Sequence, residues 1–455
     1  MTNFQPFRFE KECVHGPSGI KFKTVLEDHL FYGEDGVPEA SLFSYSYISS
    51  PSGGPDRPVM FCYNGGPGAS SSWVHMGLLG PKQVTFPGFP ERDSSAVYGE
   101  NSNFLLDCCD LVMINPPGTK YSFVDGEAKK KYFSTAGDAE AVSGFILAWL
   151  RKYGRDSSPV YLLGESYGTI RSLAVADILI GKANLAGIVS IGTSFNVGSP
   201  TTMLVEPNVR RLGANAACCW YHLHRDEKPL ARFVEEAMDF AYGEYAHALL
   251  MGSRLPADEL EKALEKLHYY TGLDRDLLRK GGLRFDEMTY LTKMMPGKLV
   301  SAYDSRTARP FEGEMTPEEL EAAFSSEPFV AVADGAITEG LERYTRQELS
   351  EPEGREYTDM LQIAPIWDYA SLKKDTLTLP GELMERSPKL RFFFIAGYYD
   401  LQSTFDFVTY FLGRYSLPME RVTFRVYESG HAAYVGGDAA GEVSEDIRAF
   451  ITGGE

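Results

Sequence analysis

Gly164-Glu165-Ser166-Tyr167-Gly168 lies between the apolar run Val160–Leu163 and a helix-like stretch, Thr169–Ile180. A serine that closes a strand and opens a helix in this pattern sits on a sharp turn that lifts its hydroxyl clear of the backbone, and the flanking glycines leave room for the turn. Such a hydroxyl attacks a carbonyl only when a base takes its proton and a carboxylate orients the base. The expected chain order is serine, acid, histidine. Asp400, just beyond Leu390–Ala396 and Gly397, and His431, in Glu428-Ser429-Gly430-His431 after Val422–Val426, meet that order. Asp406 and Glu428 are the rival acids, but Asp406 falls inside the next helical pattern and Glu428 is too near His431 on its own strand end. The alternative for Ser166, a structural serine, is disfavoured by the strand before it and the helix after it.

A second loop bears on the same chemistry. After Val59–Tyr63 comes Asn64-Gly65-Gly66-Pro67-Gly68-Ala69-Ser70-Ser71. A glycine-rich loop there lets backbone N–H groups point at a developing negative oxygen, and Gly66 and Tyr167 are the natural donors. A tight turn followed by an N-capped helix near Ser70–Ser72 is the plainer reading, and the two are compatible. His15, His29, His247 and His268 read as structural or exposed. His222 and His224, two residues apart, make no convincing metal site, and no H-E-x-x-H occurs, so neither a metal nor any other cofactor is expected.

These residues need a scaffold, and the sequence outlines one. Apolar or alternating runs at Phe22–Phe31, Ser41–Ile48, Val59–Tyr63, Leu111–Ile114, Val160–Leu163, Gly187–Ile191, Leu390–Ala396 and Val422–Val426 predict eight strands. Helical patterns intervene: Val142, Phe145, Ile146, Trp149, Leu150 and Tyr153 share one face of a helix over about Asp138–Tyr153. Another helix follows Ser166, and a third carries Val443, Ile447 and Phe450. The alternation predicts an α/β protein with a mostly parallel eight-stranded sheet flanked by helices.

From about Ser199 to Leu361 the strand signals fade. Phe233, Ala237 and Phe240, then Leu260, Leu264 and Leu267, then the capped start Thr316-Pro317-Glu318-Glu319 predict a mainly helical cap insertion. The expected organisation is a core of residues 1–198 and 362–455 with a cap of 199–361.

Composition sets outer bounds. With 44% hydrophobic and 24% charged residues in 455, the chain is an ordinary globular protein with material for a large core. A net charge of −19 argues against a nucleic-acid partner and, more weakly, against an anionic membrane. Met1–Glu10 has neither a basic nor an apolar signal region, and no stretch approaches the ~20 apolar residues of a spanning helix, so a cytoplasmic protein is expected. The adjacent pairs Cys108-Cys109 and Cys218-Cys219 suit reduced thiols better than a disulfide framework.

The loop from Asn64 to Ser71, Gly164-Glu165-Ser166-Tyr167, Gly397-x-x-Asp400 and Gly430-His431 together resemble the serine carboxypeptidases, especially their bacterial branch, within the α/β-hydrolase superfamily. Gly80-Pro81 adds to the likeness, and Asn115-Pro116-Pro117-Gly118-Thr119-Lys120-Tyr121-Ser122 looks like the family's D-P-x-G-T-G-[YF]-S with departures at Asn115 and Lys120. The resemblance implies an α/β-hydrolase fold, a catalytic triad of Ser166, His431 and Asp400, and release of C-terminal residues from peptides with a free C-terminus. It further implies that Asn64 and Glu165 hydrogen-bond the substrate's terminal carboxylate, which requires Glu165 to be protonated.

Arg171, on the helix after Ser166, is a candidate further carboxylate ligand; its alternative is a local ion pair. Leu78 stands where many relatives carry a second glutamate, Ala69 replaces a cysteine, Tyr398 an aspartate and Tyr434 a proline. Two other functions remain open: an esterase or acyltransferase with the same triad, and a non-catalytic binding protein on a hydrolase scaffold.

Overall fold

Val59–Tyr63 shows how the sheet is built, because all five residues are buried and successive side chains enter opposite layers. Met60 and Cys62 join one hydrophobic cluster, while Val59, Phe61 and Tyr63 join another. The computed structural model describes residues 4–50, 54–90, 95–195, 206–313, 315–316, 319 and 324–453. Within them a sheet of nine strands forms: β1 (Arg8–Val14), β2 (Lys21–Tyr32), β3 (Pro38–Ser49), β4 (Val59–Tyr63), β5 (Asp110–Asn115), β6 (Val160–Glu165), β7 (Leu185–Ile191), β8 (Arg391–Gly397) and β9 (Val422–Tyr427).

The strands lie in the order β1-β2-β3-β5-β4-β6-β7-β8-β9. From β5 onward every pairing is parallel, and β1, β2 and β3 run antiparallel to their neighbours. The strand count corrects the expected eight. The additional strand, β1, pairs only with β2 at the sheet edge, and its Arg-Phe-Glu-Lys-Glu-Cys-Val sequence is mostly exposed and charged. Such a sequence protects an edge from pairing with other chains, and it offers no apolar run to read.

Helices cover both faces. Helix α1 (Thr135–Lys152) packs Val142, Phe145 and Trp149 in the cluster with Phe61 and Leu162, and α2 (Tyr167–Leu179) adds Leu173 and Val175. On the opposite face, α3 (Val330–Glu348) contributes Ala333, Ile337, Leu341 and Tyr344, and α4 (Ala439–Thr452) contributes Val443, Ile447 and Phe450. Ser134 caps α1 by accepting from the Gly137 N–H at 3.1 Å, which satisfies one of the helix's orphan donors.

The segment expected as a cap contains two kinds of packing. Helices Leu212–Cys219, Leu230–Phe240 and Ala257–Thr271 assemble around their own core, with Phe233, Leu264 and Leu267 fully buried. Helix α3, by contrast, belongs to the main core. Thr316 and Glu319 exchange the reciprocal bonds of a capping box, at 2.8 and 3.2 Å, while Pro317 and Glu318 lie outside the described residues. All six cysteines are free thiols, and among the described residues no helix is long and apolar enough to cross a membrane.

Candidate active site

Strand β6 ends at Glu165 and α2 begins at Tyr167, so Ser166 occupies the single residue between them. Its backbone is at φ 58°, ψ −128°, a conformation that L-residues adopt only when the surroundings over-determine it. Its N–H donates to the Ile191 carbonyl at 2.9 Å, at the end of β7. A Cβ on Gly164 would stand 2.1 Å from the Gly168 carbonyl oxygen, so the turn closes only with glycine there. A Cβ on Gly65 would stand 2.5 Å from the Tyr167 nitrogen, which brings the glycine-rich loop directly against the elbow. The N–H groups of Gly66 and Tyr167 have no acceptor among the described residues.

Asp400 and His431 rise from the ends of β8 and β9, the next two strands along the sheet after β7. Asp400 is fully buried; its Oδ1 accepts from the N–H groups of Gln402 and Ser403, each at 2.8 Å, and its Oδ2 lies 2.8 Å from His431 Nδ1. Burial works against a charged imidazole, but the attraction and hydrogen bond of Asp400 outweigh it and hold the His431 pKa above the ordinary 6.5. Nε2, on the far side of the ring, is buried with no hydrogen-bond partner among the described residues. No hydrogen bond links it to Ser166, but Ser166 and His431 line the same cleft.

The rival acids are elsewhere: Glu428 is exposed, and Asp406 Oδ2 accepts from the N–H groups of Gly213 and Ala214 at 2.8 and 3.3 Å, fastening a cap helix. The cap also reaches the site. Its turn 301–307 takes the His431 N–H on the Tyr303 carbonyl at 2.6 Å, and the Tyr303 ring meets the imidazole edge-on.

The cleft has a volume of about 150 Å³ and mostly apolar walls, including Trp73, Phe329, Val330, Met360 and Leu361. Asn64 and Glu165 face it together. Asn64 Nδ2 donates to Glu165 Oε1 at 2.8 Å, and Asn64 Oδ1 accepts from the Val74 N–H at 3.0 Å, which fixes the amide's orientation. The second carboxylate oxygen, Oε2, accepts from the hydroxyl of Tyr434 at 2.6 Å. Burial pushes the Glu165 carboxyl up to about 6, against the pull of His431 and of the two donors.

Arg171 does not line the cleft, which corrects its candidacy as a carboxylate ligand. It is fully buried, pairs through Nε with Asp138 at 2.7 Å, and donates through Nη1 to the Asn64 carbonyl at 2.6 Å. Its guanidinium stacks over Tyr63 and Tyr167. An arginine so placed orders the backbone behind Asn64 instead of meeting a ligand.

A further support was not legible in the sequence. Lys120, fully buried at φ 56°, donates to Ser72 Oγ at 3.0 Å and pairs with Asp359 at 3.3 Å. Asp359 also accepts from the hydroxyls of Ser70, Ser72 and Thr338. Its carbonyl takes the Ser70 N–H at 2.8 Å, and the Leu361 N–H donates to the Gly68 carbonyl at 2.9 Å. Residues 358–361 therefore strap the glycine-rich loop from outside while Met360 and Leu361 wall the cleft. Leu78, in the helical stretch following that loop, is buried in the main core and contributes nothing to the cleft.

The sheet order, the strained serine between β6 and α2 and the acid and histidine loops after β8 and β9 define the α/β-hydrolase fold. The family model for serine carboxypeptidase matches residues 31–189, a region that contains the glycine-rich loop and the elbow and ends before Asp400 and His431. The matched region covers about a third of the chain and is similar to the serine carboxypeptidase family. It is 25% identical over 181 residues to serine carboxypeptidase ctsa-3.1 of Caenorhabditis elegans, covering 38% of this chain and 30% of that one. It is also 25% identical over 196 residues to serine carboxypeptidase-like 36 of Arabidopsis thaliana, covering 41% and 39%. The matched region spans about a third of the length of these curated relatives. Among solved structures, the peroxisomal α/β-hydrolase Lpx1 from Saccharomyces cerevisiae aligns with a TM-score of 0.41 at 10% identity, over 100% of this chain and 91% of that one.

Proposed function

We propose that this chain is a serine-type carboxypeptidase that releases C-terminal residues from peptides through an acyl-enzyme on Ser166. The observation that carries the reading is the meeting, in one cleft, of the strained Ser166, the imidazole held by Asp400 at 2.8 Å, and the buried Asn64–Glu165 pair. In this mechanism Ser166 Oγ attacks the scissile carbonyl as His431 Nε2 takes its proton. The N–H groups of Gly66 and Tyr167 form the oxyanion hole and stabilise the negative oxygen. His431 then returns the proton to the leaving amine, and water releases the acyl group with His431 again as base. Asp400 holds the imidazole with Nδ1 protonated and stabilises its cationic form.

The remaining polar pair selects the substrate. Asn64 and protonated Glu165 both offer hydrogen bonds to a terminal carboxylate, whereas an ionised Glu165 repels it. Activity on peptides therefore needs neutral His431 and protonated Glu165 together, and because the His431 pKa lies above 6.5 and that of Glu165 is about 6, this form is a minority species whose population peaks between the two values and falls on either side. The test compares one peptide with a free C-terminus and its amidated twin at about pH 6, products being read by mass spectrometry. Loss of the last residue from the free acid, with the amide resistant, supports the proposal; equal rates on both remove the exopeptidase reading and leave an esterase or acyltransferase.

A further inference from the structure

Tyr434 belongs to none of the motifs that suggest the reaction, yet it touches Glu165, the ionisable member of the pair proposed to select the carboxylate. It lies three residues past His431, is buried, and donates to Glu165 Oε2 at 2.6 Å. Glu165 thus has one donor on each oxygen, Asn64 from the glycine-rich loop and Tyr434 from the histidine loop. Tyr434 is not among the residues lining the cleft, so it backs Glu165 from behind. Its ring is itself wedged in place: a Cβ on Gly77 would stand 2.5 Å from Tyr434 Cε2.

We propose that Tyr434 is a positioning residue that sets the pH range of terminal-carboxylate binding by donating its hydroxyl to Glu165. The inference rests on the carboxypeptidase reading and goes beyond it in assigning the control of the alkaline limb. A phenol that donates to a carboxylate favours the ionised form, and the ionised form is the one that repels the substrate. The other ionisable groups acting on Glu165 are His431, whose charge lowers its pKa, and Asp400, whose charge raises it. Both remain when the phenol is removed. Tyr434→Phe keeps the ring and the packing against Gly77 and deletes only the donor, so the Glu165 carboxyl should stay protonated to higher pH and the variant should bind free-acid peptides over a wider range than the parent.

The experiment measures kcat/KM from pH 4.5 to 8.5 for a peptide with a free C-terminus, divided at each pH by kcat/KM for an activated ester without a carboxylate. The division cancels the titration of His431, which both substrates need. For the parent the ratio falls above about pH 6. A hydrogen bond to a charged group is strong enough that the fall in Tyr434→Phe comes about one pH unit later, an approximately tenfold larger ratio on the alkaline side. In Glu165→Gln the ratio should not fall in this range, and adding Tyr434→Phe should move it no further.

An unmoved alkaline limb in Tyr434→Phe overturns the inference, as does a shift that persists when Glu165 is already Gln. The role of Tyr434 and the carboxypeptidase activity fail on different results. A parent that removes the last residue of the free acid but whose limb ignores Tyr434 sinks only this inference, whereas a parent that treats free acid and amide alike sinks the carboxypeptidase reading and this inference with it.

Discussion

Replacing Glu165 by Gln should stabilise the fold at neutral pH and remove the alkaline limit on terminal-carboxylate binding. The carboxyl is raised from the ordinary 4.5 to about 6, chiefly by burial, so the native state binds its proton more tightly than the unfolded chain. Stability from this group is complete below pH 4.5 and is lost as pH rises through about 6. At ~1.4 kcal/mol per pH unit, the penalty at pH 7.5 is about 2 kcal/mol.

Gln removes the charge and keeps both contacts: its oxygen accepts from Asn64 Nδ2, and its NH2 donates to the Tyr434 hydroxyl, which can accept as well as donate. For a chain of this size the gain corresponds to a rise in Tm of about 2 °C at pH 7.5, shrinking toward zero at pH 4. Paired thermal melts of parent and variant at the two pH values measure it. A variant equally or less stable than the parent at pH 7.5, or one equally stabilised at pH 4, would refute the assignment of a strained buried charge to Glu165.

Asp400→Asn should lower kcat on an activated ester by roughly two to four orders of magnitude, because the imidazole loses the group that fixes its tautomer; a change of less than about threefold would reject the Asp400 role. The acid limb of ester hydrolysis in the parent should lie above pH 6.5 and move down in Asp400→Asn, because Asp400 favours protonated His431. Asp359→Asn leaves the buried Lys120 ammonium without its counter-charge and should cost about 3–5 kcal/mol in urea unfolding. A loss below about 1 kcal/mol would show that the strap carries little of the loop's order.

What was legible in the sequence was local. Val59–Tyr63, Val160–Leu163 and Leu390–Ala396 announced themselves as strands because they are buried on both faces and so read as unbroken apolar runs. Ser166 stood out because its turn constrains its neighbours, and a Cβ on Gly164 would collide at 2.1 Å. What was missed depends on partners far along the chain. Arg171 is a surface-like residue on a helix until Asp138 and the Asn64 carbonyl are folded against it. Lys120 reads as a departure from a motif, and its counter-charge lies at Asp359 in a segment with no pattern of its own. Tyr434 is an aromatic residue in a loop, with no period to mark it and a partner, Glu165, brought close only by the sheet. Strand β1 was missed for the opposite reason, since an exposed edge strand is selected to look unlike a strand.

The central claim is that this fold makes one hydroxyl reactive, and covalent labelling tests it most directly. Treatment with a fluorophosphonate followed by peptide mapping should find a single adduct on Ser166, absent in Ser166→Ala and strongly slowed when His431 is replaced. An adduct on a different serine, or undiminished labelling of Ser166→Ala, would contradict the account.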